Sequence, residues 1–531
     1  MKPFRKPAEA DGSAEASETP MPGSLRQTVI RGVSLSGSGY LLTQLLRFGF
    51  YIVLARLASP ADFGELAAGM ILVGVAMLFA ESGMMAAVIH RRDRVEEAAS
   101  TAFFSTLIAG VGLGLLALAL SPLVGLLFNS HEIGLVAAAM SGYVLLRELM
   151  IVPNALMQRR FSFLRRLVLE PAGAIAFGVT AIVTCSNGMG VWGLVAGTYA
   201  SVGAQAMLSW ALIRWRPKAR LASVAMWREL VGYGRHVILA EVIRRVTAEL
   251  PTVLVGRFVG AAALGQYQYA YRVAGRPLAT LVSSTSYVLF PAFARISDDR
   301  ARFRQAFLRA LRGVCIVSFP ASLILFPLGE PGVVLLFGDQ WQQAGAALTA
   351  MCGYTAGHAF VSLGAETFKA AGRPQLLPRM HGLSAGLTAI LMLALLPFGL
   401  IGVAAAVSLR AAGTAVYAMW TTGKVLELPP RAILAQVWAP GAAAVVMAAV
   451  VFPLERLVVD ADGHSAAVGL ALLAAEALLA VAVYLGALMA LAPSTARELR
   501  ALPRLARRRS RRRQSAPAPA EAGAIAGGTG A

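Results

Sequence analysis

Apolar residues along this chain gather into fourteen runs of about 20 residues, each closed by a cluster of charged, Gly, Pro or polar positions. The runs fall at 36–57, 64–89, 99–121, 133–156, 167–186, 190–213, 232–257, 263–290, 306–328, 343–366, 375–396, 399–422, 433–453 and 466–491. Runs of this length cross a hydrocarbon layer of roughly 30 Å as helices. They are unbroken rather than alternating, which disfavours the strands of a transmembrane barrel. The expected fold is all-α, a polytopic membrane protein of about 14 transmembrane helices. The connections are short, and none has the length of a separate folded domain, which argues against a fused catalytic unit.

A short repeat relates the two halves. The chain reads LARLASPADFGEL where the first run ends and VGRFVGAAALGQY where the seventh ends. Arg56 and Gly64 lie eight residues apart, as do Arg257 and Gly265, at equivalent places six runs apart. An even number of spans preserves orientation, so the pattern predicts two six-helix lobes in parallel duplication. The expected division is an N-lobe over 36–225 (helices 1–6), a C-lobe over 226–428 (helices 7–12) and two accessory helices within 429–493. The flanking segments 1–35 and 494–531 read as disordered polar tails. Transporters built from repeats place their substrate site between the lobes.

Composition strengthens this picture. Of 531 residues 57% are hydrophobic and only 14% charged, with a mean hydropathy of +0.65. A soluble domain carries about 25% charged residues. The net charge of +20 could suggest nucleic acid, but its placement decides otherwise. Basic clusters stand at HRRDR (90–94), QRRFSFLRR (158–166), RWRPKAR (214–220), ARISDDRARFR (294–304), KAAGR (369–373), 424–431 and the C-terminus. The opposite connections hold only Arg56, Arg257 and Arg456. The positive-inside rule then places both termini in the cytoplasm, in a cytoplasmic (inner) membrane, with attraction to anionic lipid and no nucleic-acid partner. Cys185, Cys315 and Cys352 are scattered through apolar runs, so no disulfide framework, metal site or cofactor is expected. The first 25 residues lack the apolar core of a signal peptide.

The candidate chemistry is the charge inside the apolar runs. A charge at bilayer depth costs several kcal/mol, so it faces a bundle interior or a wet cavity. Arg47, Arg147, Arg244, Arg245, Arg272, Arg276 and Arg410 are such residues. Glu241, Arg244, Arg245 and Glu249 share one helical face, and Arg272 and Arg276 are four apart beside Tyr269. Arg binds phosphate oxygens in a bidentate manner, so this set is a candidate anion site. Gln44 and Tyr269, with Tyr267 and Tyr271, could meet sugars, or the tyrosines could anchor the helices at the interface. Arg245 could equally serve only to pair with Glu241 and Glu249. Glu81, Glu148, Glu241 and Glu249 are candidates for proton or sodium coupling, with charge balance beside Arg147 as the alternative for Glu148, whereas His236 and His358 read as structural. No catalytic residues are expected.

Several of these segments carry a family resemblance. LARLASPADFG followed by FAESGMMAAVIHRRD, and then ALGQYQYAYRV, VLFPAFARISDD and LFGDQW, resemble Wzx-type polysaccharide exporters of the colanic acid exporter-like branch. The resemblance runs from about 30 to 425. It implies membership of the multidrug/oligosaccharidyl-lipid/polysaccharide flippase superfamily and a fourteen-helix, alternating-access architecture. It further implies that an undecaprenyl-diphosphate-linked oligosaccharide is flipped to the outer leaflet during exopolysaccharide, lipopolysaccharide or capsule biosynthesis, beside polysaccharide polymerase machinery. A cation-coupled multidrug or metabolite antiporter of the same superfamily is the alternative, with a more acidic cavity expected. A lipid-dependent polymerase or glycosyltransferase would need a large outer loop, and the longest outer connection, 453–466 with Glu455, Asp460 and Asp462, is short. A purely structural scaffold leaves seven buried arginines unexplained.

Overall fold

The computed structural model describes residues 42–81, 93–159, 164–213 and 215–492, with positions 39 and 88 besides; at 78–81, 159, 164–166, 230–244, 246 and 276–288 it describes the backbone alone. The described residues are helical, with no strand among them. The helices are α1 (42–57), α2 (Pro60–Gly69), α3 (Ile71–Glu81), α4 (Val95–Phe128), α5 (His131–Arg159), α6 (Leu164–Ser186), α7 (Gly190–Leu212) and α8 (Val224–Phe258). They continue with α9 (Ala261–Ala294), α10 (Arg300–Leu323), α11 (Leu325–Phe337), α12 (Gln342–Ala350), α13 (Tyr354–Ala370), α14 (Leu376–Leu395), α15 (Gly399–Leu426), α16 (Pro430–Leu454) and α17 (Ala466–Leu491). Each expected run falls on one or more of these helices.

Eight segments among the described residues are long and apolar enough to cross a membrane by length and composition, one of them, Leu376–Leu426, holding both α14 and α15. α8 and α9 are not in that set, and they carry Arg245, Glu249 and Arg272 within their length. Such polarity suits helices that line a bundle interior rather than meet lipid.

The helix ends show why the chain turns where it does. Ser59 caps α2 in a reciprocal pair with Asp62: its hydroxyl accepts from the Asp62 N–H at 3.3 Å, and the Asp62 carboxylate accepts from the Ser59 N–H at 2.7 Å. Pro60 follows at the first helical position, where no amide donor is missed. Asp299 caps α10 through the N–H groups of Ala301 and Arg302, at 3.1 and 3.0 Å. The segment entering α8 is fastened to α4, since the Ser223 N–H donates to Thr101 Oγ1 at 3.1 Å and its hydroxyl to Glu97 Oε1 at 3.1 Å.

In the first half α4 packs on α5 and α6 on α7; in the second α13 and α14 both pack on α15. α2 lies along α9 and joins the halves, while α16 rests on α10 and α17 on α16 and α11. The molecule is thus the expected all-α, two-lobed polytopic membrane protein with an added helix pair.

In the second half the structure departs from the sequence reading in two places. The stretch between the ninth and tenth runs, read as a connection, holds most of α11, which starts inside the ninth run and follows α10 after the single residue Ile324. Pro320, Pro327 and Pro331 each lack a backbone donor, which weakens the helical ladder on both sides of the break at Ile324. The tenth run is divided into α12 and α13 at Met351–Gly353, where Ser322 Oγ reaches across from α10 to the Cys352 carbonyl and accepts the Ala356 N–H at 3.2 Å.

Candidate functional site

The two glycines of the sequence repeat pack on each other. A Cβ at Gly64 would collide with the Ala261 carbonyl, and one at Gly265 would collide with the Pro60 carbonyl. Pro60 precedes Gly64 by four residues, as Ala261 precedes Gly265, so the contact reads the same from either side. α2 and α9 therefore approach backbone to backbone at the end of the molecule that carries few charges.

Around this contact the halves are tied together. The Ala55 carbonyl accepts from Gln340 Nε2 at 2.5 Å and from Trp341 Nε1 at 2.8 Å. Arg56 donates to the Leu335 and Leu336 carbonyls at 2.9 and 3.4 Å. These belong to the last turn of α11, whose carbonyls have no partner within the helix and whose dipole favours a cation. Gln266 holds the other side, donating to the Gln340 carbonyl at 2.6 Å and accepting the Ala344 N–H at 2.8 Å.

Tyr269, expected as a sugar contact, sits inside this closure. It is 3% exposed, its hydroxyl donates to the Tyr51 carbonyl at 3.3 Å, and its ring meets those of Tyr51, Phe63, Phe337 and Trp341.

The candidate cations divide by what faces them. Arg47 pairs with Glu170 of α6 at 3.2 Å. Arg245 pairs with Glu249 at 3.0 Å, the pairing that was the alternative to a substrate role, and its guanidinium crosses to α3, where Gly74 leaves the space it fills. Arg272 and Arg410 are different: among the described residues neither forms an ion pair. Arg272 places its guanidinium 4.9 Å from the ring centre of Tyr51 in the other lobe. Arg410 donates to Ser384 Oγ at 2.9 Å and lies 5.9 Å from the ring centre of Tyr354.

Near Arg410 the aromatic rings form a row. Tyr267 stacks on Tyr271 at 5.9 Å, the Tyr271 and Tyr354 hydroxyls share a hydrogen bond of 3.0 Å, and Tyr354 stacks on His358 at 5.8 Å. His358 is exposed at mid-helix on α13, so the row opens onto accessible space.

Arg147 and Gln44 are half-buried on α5 and α1. Glu148 is fully buried, and a Cβ at Gly110 of α4 would lie 2.6 Å from its Cγ. The side chains of Arg244, Arg276, Glu81, Glu241 and His236 lie outside the described residues. Tyr51, Tyr354 and Ser384 were missed by the sequence reading, because a lone polar residue in an apolar run carries no signal until a cation is seen beside it. Gln340 and Trp341 stood in the LFGDQW segment, where only family likeness pointed to them.

The two-lobed helical bundle has the fold of flippases and multidrug exporters. The fold is similar to that of the lipid II flippase MurJ in an inward closed conformation, with a TM-score of 0.69, 16% identity, and coverage of 86% of this chain and 98% of that one. It is also similar to an inward-facing multidrug resistance MATE family transporter of the MOP superfamily, with a TM-score of 0.57, 16% identity, and coverage of 73% and 95%. The chain belongs to the polysaccharide biosynthesis protein family, whose sequence pattern matches residues 53–346. It is 26% identical over 327 residues to the succinoglycan biosynthesis transport protein ExoT of Rhizobium meliloti (strain 1021), covering 60% of this chain and 64% of that one. It is 27% identical over 342 residues to the lipopolysaccharide biosynthesis protein WzxC of Escherichia coli (strain K12), covering 62% and 67%. The alignments thus span about two thirds of the length of these relatives.

Proposed function

We propose that this protein flips a polyprenyl-diphosphate-linked oligosaccharide, of the undecaprenyl type, across the cytoplasmic membrane for polysaccharide export. The observation that carries the reading is the pair of arginines without a carboxylate partner among the described residues, Arg272 and Arg410, set against Tyr51 and Tyr354. A diphosphate needs desolvated cations, and these two have their charge unspent on acids among the described residues, whereas Arg47 and Arg245 are spent on Glu170 and Glu249. Arg147, Arg244 and Arg276 complete the candidate anion path, and Gln44 and Tyr269 are sugar contacts once the lobes part. The protein carries out no bond chemistry in this reading and transports by alternating access between the lobes 36–225 and 226–428, with 429–493 as accessory helices. Both termini face the cytoplasm of an inner membrane, polysaccharide polymerase machinery receives the product, and Glu81, Glu148 and Glu241 serve ion coupling.

The test is Arg272→Gln at matched protein level, measured as lipid-linked glycan retained in the cytoplasmic leaflet. A hydrogen bond to a charged group contributes about 1.5–3 kcal/mol, so export is expected to fall roughly ten- to hundredfold. The fall should be equal for every glycan on the same lipid diphosphate, because the head group is what Arg272 holds. Unchanged export returns Arg272 to a structural role at the Tyr51 contact.

A further inference from the structure

The accessory helices contain two buried acids. Glu455 ends α16 in a π-turn, Glu455–Val459, and Glu476 lies ten residues into α17; each is 3% exposed. Their carboxyl groups face one another. Glu455 Oε1 accepts the Ala461 N–H at 3.1 Å, but Glu455 Oε2 and both Glu476 oxygens are sealed from solvent with no donor facing them.

Among the described residues the surroundings supply no neutralising charge. Arg456 is committed to Glu330 of α11 at 2.6 Å. The connection adds Asp460, Asp462 and His464, whose Nδ1 is on the Asp460 carbonyl at 3.0 Å. Farther down, α10 contributes Arg312, bonded to Gln436 at 2.6 Å, and Cys315, while Tyr484 of α17 donates to the Ile316 carbonyl at 3.0 Å; Lys424 and Glu427 stand at the distant end of α15. Two ionised carboxylates in this position would each be desolvated at a cost of several kcal/mol and would repel one another. One proton changes the arrangement, because it turns the contact into a short, charge-assisted O–H···O bond and gives each acid a partner.

We propose that Glu455 and Glu476 form a proton-binding site that holds one proton between them and so keeps α16, α17 and their connection closed against α11. The proton enters from water at the end of the molecule with few charges, and no other group is consumed. The site has a mechanical reach: Gly469 of α17 leaves room for Leu335 of α11, and the Leu335 carbonyl is one of the two that Arg56 grips from the other lobe. Occupancy of the acid pair is therefore one helix away from the contact that ties the lobes together.

The test uses the full chain in lipid nanodiscs. Infrared spectra across a pH series should show a protonated-carboxyl stretch that persists at neutral pH and vanishes at alkaline pH. Part of this band should be absent in Glu455→Gln and in Glu476→Gln. Each Gln supplies an N–H donor in the proton's place, so the packing survives. Backbone hydrogen exchange over 455–476, corrected for intrinsic rates, should rise with pH in the wild type and stay flat in Glu476→Gln. Superimposed bands in the wild type and both variants at every pH overturn the proposal, as does loss of the band on adding sodium at fixed pH, which assigns the site to the metal cation. If one variant fails to fold, the other and the wild-type series decide.

Discussion

At the residue scale, a cation's role follows from its partner. Arg47 and Arg245 face carboxylates and Arg272 and Arg410 face aromatic rings, although Arg47, Arg272 and Arg410 look alike in the sequence. The same distinction governs single contacts at the lobe closure. The Ala55 carbonyl has two donors, so Trp341→Phe removes one while Gln340 retains the other. The loss should be about 1 kcal/mol, or about fivefold in the population of the closed arrangement. Alkylation of a cysteine at Ala58, 3% exposed, in a chain cleared of Cys185, Cys315 and Cys352, reads this shift. The rate should rise by about that factor with Trp341→Phe. It should rise further when Gln340→Ala is added, because the carbonyl is then left without a donor.

At the element scale, closure depends on α2 and α9 touching through backbone. A side chain at Gly64 or Gly265 must push the helices apart, at a cost of about 1–3 kcal/mol or more. Gly64→Val and Gly265→Val should each make the Ala58→Cys site reactive and should do so to a similar extent, because the contact is the same from both sides. A large effect from one and none from the other would show that the two approaches are not equivalent. By contrast Gly49, whose added Cβ meets nothing within 4 Å, should accept Ala with no change in that reactivity.

At the scale of the whole molecule, the basic connections and the lobe contact lie at opposite ends. Arg300 and Arg304 meet Glu427 at 2.5 Å at the basic end, far along α10 and α15 from the turns at Gly399 and Gly338. Reporter fusions after Gly188 and after Asp462 should read periplasmic and one after Arg220 cytoplasmic. A periplasmic reading at Arg220 would invert the orientation drawn from the positive-inside rule.

The sequence by itself determined the helical spans, their charge-sided connections and the repeat, because hydropathy, charge and residue spacing are local properties written one residue at a time. The equal spacing of Arg56 to Gly64 and Arg257 to Gly265 was visible in the chain; that Gly64 and Gly265 press against each other was decided only in three dimensions. The sequence likewise marked Arg245 and Glu249 as a pair, since i, i+4 neighbours meet on any helix. It could not separate Arg272 from Arg47, whose partners Tyr51 and Glu170 lie more than a hundred residues away, nor bring Glu455 to Glu476. It read the path from Gly329 to Phe337 as a connection because an apolar piece too short to span a bilayer gains its helix from what it packs against, here α12 and α17.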